Sequence, residues 1–342
     1  MNKIFVSNKK IKPFNKIIRV PGDKSISIRF VLFASQAKGV SKAYNLLMSE
    51  DVIAALEAIK KLGIKVLIKK QYCEVFGKGL NSFRYKNNLV INAKNSGTLG
   101  RLILGLLIKS PKKIKLIGDK SLSKRDFSRV TKPLKKFGAR FSYNIKDKLP
   151  LSIIGSENSR GINYIENKGS AQCKTSVMLA ALNSSGTTRI KAKKSRNHSE
   201  LLFKYLKVPI KIKKTKKYDL INISKPKKIN AFNYNIPGDI SSSAFFIVLT
   251  ILSENSKLLI KDININPSRT GVITILKKMG AKISLKNKRN YKGEKISDIL
   301  IKSSKNLKGV NCPTELNSSA IDEFLIIFIA AAKAKGISYF KD

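Results

Sequence analysis

The 342-residue chain has one histidine, three cysteines, and 21 acidic residues against 69 basic ones. Each shortage closes off a class of function. Zinc sites need Cys and His sets at short spacing, but Cys73, Cys173 and Cys312 lie far apart and His198 stands alone. No zinc site is expected, and the cysteines read as reduced, structural thiols. The most apolar windows, residues 244–252 and 324–332, fall far short of the roughly 20 residues that span a bilayer. The opening MNKIFVSNKK offers only Ile4, Phe5 and Val6 before charge returns, short of the apolar stretch of about 7 to 15 residues in a signal peptide. A cytoplasmic protein with no membrane partner is therefore expected. At 42% apolar residues the chain can build two domains with real cores.

The scarcity of acids leaves a formal charge of +48, which would ordinarily suggest nucleic acid, because clustered cations neutralise phosphates and release counterions. The distribution argues otherwise. Of the 69 basic residues 57 are lysine, many in dispersed pairs such as Lys60-Lys61, Lys112-Lys113 and Lys277-Lys278, the pattern of solvated faces. No nucleic-acid partner is expected. Arginine is used more selectively: Arg29, Arg101, Arg125, Arg196 and Arg269 all fall within the motifs below, as suits a planar fork that holds carboxylate or phosphate.

One phrase recurs, an amphipathic helix with a small or glycine stop followed by an alternating apolar strand. Copies begin at Asp51, Phe127, Glu200 and Thr270, and taking Gly63, Gly138, Val208 and Gly280 as equivalent stops gives intervals of 75, 70 and 72 residues. Such a period marks one supersecondary unit reused. Between the copies lie more apolar helices, predicted at residues 25–37, 98–107, 171–182, 241–252 and 319–332, with a further strand starting at Tyr339. The class is α/β, built from βαβ-type pieces. The domain boundary is placed near Pro237 and Gly238, after a Lys-rich hairpin at 213–228, and the chain is expected to halt inside a fifth repeat.

Three motifs open apolar helices with the same polar dressing. PGDKSISIR (21–29) makes a turn at Gly22-Asp23, offers Ser25 as a cap, and sets Lys24 and Arg29 near a positively polarised helix start. NSGTLGR (95–101) has Gly97 where backbone can approach a ligand. GSAQCK (169–174) adds a hydroxyl, an amide and Lys174. An ordinary capped helix explains any one alone; three together favour anion binding. SLSKRDF (121–127) and SRNHSE (195–200) precede repeat helices, and His198 reads as a helix-start residue beside the site, not a general base. PGDISSSAFF (237–246) and NPSRTG (266–271) read as mainly structural turns. Asp322 in AIDE (320–323) is an acid at a helix start, a cap or a base.

These motifs, in this order and approximate spacing, resemble those of EPSP synthases across essentially the whole chain, and the forms SAQ-x-K and NP-x-RTG resemble the class II bacterial branch. The sister family, UDP-N-acetylglucosamine enolpyruvyl transferase, has Lys-Asn where this chain has Lys24-Ser25, and its loop cysteine has no counterpart here. The resemblance implies a two-domain enolpyruvyl transferase fold of repeated βαβαββ units, an inside-out α/β barrel type, with helix starts directed at the cleft. The domains would be 22–237, complete with three repeats, and 1–21 plus 238–342, incomplete at its C-terminal end. It implies transfer of the enolpyruvyl group of phosphoenolpyruvate to the 5-hydroxyl of shikimate 3-phosphate, on the way to chorismate and the aromatic amino acids, by a monomer without metal or cofactor.

Carried over residue by residue, the resemblance assigns shikimate 3-phosphate to Lys24, Ser25, Arg29, Ser170, Ala171, Gln172, Ser195, Arg196 and Asp322. Phosphoenolpyruvate falls to Lys24, Asn95, Gly97, Thr98, Arg125 and Gln172. Lys24 and Asp322 are the expected catalytic residues, Asp322 taking the proton of the 5-hydroxyl. Glyphosate would occupy the phosphoenolpyruvate site, with room beside Gly97. Departures are Ile28 for a usual His or Asn, Asp126 for a proline after Arg125, and Asn197 for an Asp. The family's later Lys-Glu-Ser-Asp-Arg and Asp-His-Arg segments have no counterpart by Asp342, so impaired turnover, or binding without catalysis, is the expectation.

Overall fold

Apolar residues alternate along the strands and recur every three to four residues along the helices, and in a computed structural model describing residues 11–341 these patterns fold into one unit used repeatedly. Residues 1–10, at the start of the expected 1–21 segment, and Asp342 lie outside the described residues. The chain enters through β1 (Asn15–Ile18) and the first repeat: α1 (Lys24–Ala34), β2 (Lys38–Tyr44), α2 (Glu50–Lys61), β3 (Lys65–Lys69) and β4 (Tyr72–Lys78). The second runs β5 (Leu89–Asn92), α3 (Gly97–Leu106), β6 (Ile114–Ile117), the one-turn α4 (Lys120–Ser123), α5 (Ser128–Lys136), β7 (Arg140–Tyr143) and β8 (Leu151–Ile154). The third is β9 (Asn163–Glu166), α6 (Ala171–Ala181), β10 (Thr187–Lys193), α7 (His198–Tyr205), β11 (Ile210–Lys214) and β12 (Tyr218–Ser224). Then come β13 (Asn233–Asn235), α8 (Ile240–Leu252), β14 (Lys257–Asn264), α9 (Gly271–Lys278), β15 (Lys282–Tyr291), β16 (Glu294–Lys302), α10 (Asn317–Ala320) and α11 (Phe324–Ala332).

Each repeat makes one four-stranded sheet: β5-β6-β8-β7, β11-β12-β10-β9, β13-β2-β4-β3 and β1-β14-β16-β15. In every one the outer strand preceding an apolar helix is parallel to its neighbour, while β2-β4, β3-β4, β6-β8, β7-β8, β10-β12, β11-β12 and β14-β16 pair antiparallel. The first and fourth sheets borrow that parallel strand from elsewhere in the chain: β13 closes on β2, and β1 closes on β14. Two compact units follow. One holds Pro21–Pro237 with Lys292–Glu294, the other the described residues up to Val20 with Gly238–Tyr291 and those from Lys295 on.

In the larger unit α1, α3 and α6 are buried along almost their whole length, polar residues such as Arg29 and Lys174 included. Phe33 of α1 meets Phe203 of α7 edge-on at 5.0 Å, a pairing worth about 0.5–1.5 kcal/mol beyond its buried area. Ile28, fully buried within α1, gives an apolar side chain to this core. The cationic side chains stay outside: along β10, Thr188, Ile190 and Ala192 point inward while Arg189, Lys191 and Lys193 face solvent. The smaller unit packs α8, α9 and α11 on β14 and β16 through Ile247, Ile251, Leu276, Ile299 and Ile327.

Three local expectations differ from the structure. The left-handed stop of the third repeat helix is Lys207 at φ +55°, one residue before Val208, matching Gly63, Gly138 and Gly280 at +85° to +96°. The helix predicted over 319–332 is two helices with a turn at 321–323, where Glu323 N–H bonds to the Ala320 carbonyl. Tyr339 makes an isolated parallel bridge to Asn311 instead of starting a strand. Cys73, Cys173 and Cys312 are buried and unbridged, and burial pushes the Cys73 thiol up to about 12, which keeps it protonated and unreactive. Among the described residues no helix is long and apolar enough to cross a membrane.

Candidate functional site

Most of the expected residues of the larger unit lie at the starts of α1, α3 and α6, with Arg125 between α4 and α5 and Ser195 and Arg196 just before α7. α1 is capped by Asp23, whose carboxylate accepts from Ile26 N at 2.9 Å. This corrects the expectation that Ser25 caps it: Asp23 is buried and two positions earlier, which leaves the half-buried Ser25 hydroxyl outside the cap. Lys24 extends toward Asp51 at 3.8 Å with half its side chain exposed. Ser96 caps α3 by accepting from Leu99 N at 3.2 Å, and Ser170 caps α6 through Cys173 N at 3.3 Å. Each cap fixes a helix of ten or eleven residues whose free N–H groups carry partial positive charge.

Gln172 joins two of these starts. Its carbonyl accepts from the Arg101 guanidinium at 2.7 Å and its amide donates to Thr98 Oγ1 at 3.0 Å. Gly97 lies under the same guanidinium: a β-carbon there would stand 2.9 Å from Arg101 and 2.9 Å from Arg125. Asn95 donates to Asp119 at 2.5 Å, and Asp119 caps α4 through Leu122 N at 2.7 Å, which carries the chain to Arg125. Thus Asn95, Gly97, Thr98, Arg125 and Gln172 form one neighbourhood.

A second neighbourhood centres on Arg29, which is 3% exposed. Its Nε donates to Ser199 Oγ at 2.8 Å and its fork reaches the Ser25 carbonyl at 2.9 Å. Ser199 and Thr175 share a further hydrogen bond at 2.7 Å, linking α7 to α6. Burial lowers the Arg29 pKa to about 10, against the attraction of Asp23 and Glu200, and the nearby Arg196 cation lowers it further. Arg101 is lowered by its own burial and then by Arg125 and Arg129, although Cys173 opposes this. Crowded, partly dehydrated guanidinium groups are relieved by an anion. Ser195 Oγ is buried with no protein hydrogen-bond partner among the described residues, and Ala171 is half-buried at the first position of α6.

Several placements correct or extend the expectations. Lys174 is not available to a ligand at the helix start: it is fully buried and paired with Glu200 at 2.5 Å. His198, 2% exposed, pairs through Nδ1 with Glu294 at 2.7 Å. Asp126 accepts from Ser128 N at 2.7 Å and from its hydroxyl at 2.8 Å. Burial alone would raise that carboxyl, but those bonds hold it below the usual range, so the aspartate secures the entry to α5 by hydrogen bonds. The expected set omits Arg101, Ser199 and Glu166. Arg101 was signalled by its place one turn after Gly97; Glu166, which receives Ser170 N at 2.9 Å and Arg129 at 3.2 Å, sits in a strand with no such mark. Asp322 belongs to the other unit, where its half-exposed carboxylate lies 3.8 Å from Arg269. Among the described residues no group of three His, Cys, Asp or Glu side chains is placed to hold a metal ion.

Comparison with known proteins identifies the family. A family model described as EPSP synthase (3-phosphoshikimate 1-carboxyvinyltransferase) matches residues 8–342. The 3-phosphoshikimate 1-carboxyvinyltransferase of Ruthia magnifica subsp. Calyptogena magnifica is 41% identical over 336 residues, 97% of this chain and 76% of that protein. The enzyme of the same name from Thermodesulfovibrio yellowstonii is 39% identical over 345 residues, 100% of this chain and 78% of that protein. A solved EPSP synthase from Acinetobacter baumannii superposes with a TM-score of 0.85 at 35% identity, covering 95% of this chain and 72% of that one. By sequence along nearly its whole length and by fold, the chain belongs to the EPSP synthase family.

Proposed function

We propose that this chain transfers the enolpyruvyl group of phosphoenolpyruvate to the 5-hydroxyl of shikimate 3-phosphate, with release of phosphate, in aromatic amino-acid biosynthesis. The observation that carries the reading is the floor at Gly97, where Arg101 and Arg125 each come within 2.9 Å of an absent β-carbon and Gln172 ties Arg101 to the start of α6. Two guanidinium forks and a helix start directed at one small-residue surface suit a compact dianion with a carboxylate. Phosphoenolpyruvate is such a molecule.

In this reading Asn95, Gly97, Thr98, Arg125, Gln172 and Lys24 hold phosphoenolpyruvate. Ser25, Arg29, Ser170, the Ala171 backbone, Ser195 and Arg196, with Lys24 and Gln172, hold shikimate 3-phosphate, and Ser195 Oγ, which has no hydrogen-bond partner among the described residues, supplies a hydroxyl to that ligand. The reaction adds a proton to the methylene carbon and joins the 5-oxygen to the neighbouring carbon. The tetrahedral intermediate then loses phosphate and a methyl proton. Asp322 accepts the hydroxyl proton and contacts the ring; Lys24 offsets charge on the phosphate. Fixed cations and helix ends suit this chemistry because the charge they meet grows in the transition state. Holding two reactants in register contributes on the order of 7–11 kcal/mol.

The same reading makes the protein a cytoplasmic monomer, and its two small anionic substrates call for no nucleic-acid partner, in keeping with lysines that occur as dispersed pairs along the sequence. Phosphate release that requires both substrates together is the expected result. Calorimetry adds a second arm: binding of shikimate 3-phosphate without phosphate release would favour the binding-only alternative. Binding of neither ligand by the folded chain would sink the proposal.

A further inference from the structure

The motif NPSRTG (266–271) does more than turn the chain. Arg269 has a side chain only 4% exposed, and one of its terminal nitrogens lies 3.7 Å from Asp239, 3.7 Å from Glu323 and 3.8 Å from Asp322. The same nitrogen donates to Ser241 Oγ at 2.5 Å, and Ser241 in turn donates to Glu323. The three carboxylates are not equivalent. Asp239 caps α8, accepting from Ser241 N at 2.7 Å, with its side chain 10% exposed. Glu323 is buried at the entry to α11, with its side chain 1% exposed. Asp322 alone turns outward, with 47% of its side chain in solvent.

A buried guanidinium requires fixed counter-charges, and Asp239 and Glu323 supply them from within the core. The fork still faces the Asp322 carboxylate. The loop that presents Arg269 is itself held: Asn266 accepts from Ser268 N at 3.0 Å and its hydroxyl at 2.8 Å, and Arg269 N donates to the Asn266 carbonyl at 2.8 Å. Two residues on, Gly271 fits against the segment that carries Asp322. A β-carbon there would stand 2.5 Å from Ser319 Oγ and 2.9 Å from both Cβ and N of Ala320. The break between α10 and α11, where Asp322 sits, is thus gripped by charge and by close backbone approach from one loop.

We infer that Arg269 is a positioning residue, holding the Asp322 carboxylate in the orientation in which it meets the reacting hydroxyl, with Asp239 and Glu323 fixing Arg269 in turn. This rests on the reading of Asp322 as the base proposed above. It assigns Arg269 no contact with either substrate. An off-target base slows chemistry more than it weakens binding, so the consequence falls on kcat.

The test compares the full chain with Arg269→Gln, Arg269→Lys, Asp322→Asn and the double variant Arg269→Gln/Asp322→Asn. Both KM values and kcat are separated, and unfolding midpoints are taken for the four corners of the Gln/Asn square. Arg269→Gln is expected to lower kcat on the order of 100-fold, as misplacement of a reacting group does, with either KM moving less than about threefold. Arg269→Lys, which keeps the charge but not the fork, should recover part of the loss. In the Asp322→Asn background Arg269→Gln should lower kcat no further, and its effect on the midpoint should shrink. Unchanged kcat in a folded Arg269→Gln protein, or kcat losses that multiply in the double variant, would overturn the inference. If the unsubstituted chain itself shows no turnover, the proposed function is what fails, and the midpoints decide this one: independent effects of the two substitutions overturn it, and non-additive effects support it.

Discussion

The side-chain carbonyl of Gln172 accepts a hydrogen bond from the Arg101 guanidinium at 2.7 Å, joining the start of α6 to the first turn of α3. Neither helix start alone presents an amide and a guanidinium together. Gln172→Ala would release Arg101 and remove the donor to Thr98, so the two starts would no longer share a fixed geometry. Hydrogen bonds to charged groups contribute about 1.5–3 kcal/mol. The expected outcome is a loss of phosphoenolpyruvate affinity of roughly 10- to 100-fold, read by calorimetry or as KM. Unchanged affinity would remove Gln172 from the site.

Gly97 makes a sharper prediction because the displaced atoms are known. In Gly97→Ala the new methyl stands 2.9 Å from terminal nitrogens of Arg101 and Arg125, so both flexible side chains must shift while the helix start survives. Stability should change by less than about 1 kcal/mol although Gly97 is buried, because the atoms displaced are the far ends of two flexible side chains. Phosphoenolpyruvate KM should rise by roughly tenfold, and glyphosate should inhibit less well than it does the unsubstituted chain. Equal glyphosate potency in the two proteins would show that the inhibitor does not use the space above Gly97.

Much of the fold was legible because each repeat carries local marks: Gly63, Gly138 and Gly280 end their helices in the left-handed region, and the apolar helices declare burial by their apolar runs. The anionic character of the site was legible for a related reason, since caps, small residues and arginines recur at three helix starts. What stayed hidden depends on which way a side chain turns inside a packed helix cluster. Lys174 follows Gln172 by two residues, yet Gln172 reaches Arg101 at the helix start whereas Lys174 is buried against Glu200. Likewise the acids Asp322 and Glu323 within residues 319–332 could be read as a cap or a base, and did not by themselves announce a break in the helix. That break is set by the tertiary grip of Gly271 and Arg269 on residues 319–323.

The Asp119 carboxylate gives a pH-dependent prediction. Its pKa is held below the ordinary 3.8 by the hydrogen bond from Leu122 N, with Asn95 and Arg125 acting the same way and burial opposing. A carboxyl whose folded pKa is depressed contributes stability that is complete above its unfolded pKa and is lost as pH falls through the folded value. Asp119→Ala should therefore lower the unfolding midpoint at neutral pH, and the gap to the parent protein should close as pH drops below about 3.8. A gap that stays constant down to acid pH would mean that the hydrogen bonds to Asp119 do not depend on its charge.

Lys174 and Glu200 test how far the site depends on the interior beneath it. Their side chains are 0% and 4% exposed and meet at 2.5 Å between α6 and α7, so removing one partner leaves a charge buried without its counterion. Lys174→Met or Glu200→Gln should each destabilise the fold by about 3–5 kcal/mol in denaturant unfolding. Replacing both by apolar residues of similar volume should restore most of that, since a well-packed apolar pair often equals or exceeds a buried ion pair. Function should not recover in parallel. Glu200 also attracts the Arg29 cation, and Ser199, its neighbour in α7, is the residue that holds Arg29 Nε. A doubly apolar variant as stable as the parent should still bind shikimate 3-phosphate more weakly. Full recovery of both would show that the buried pair serves packing alone.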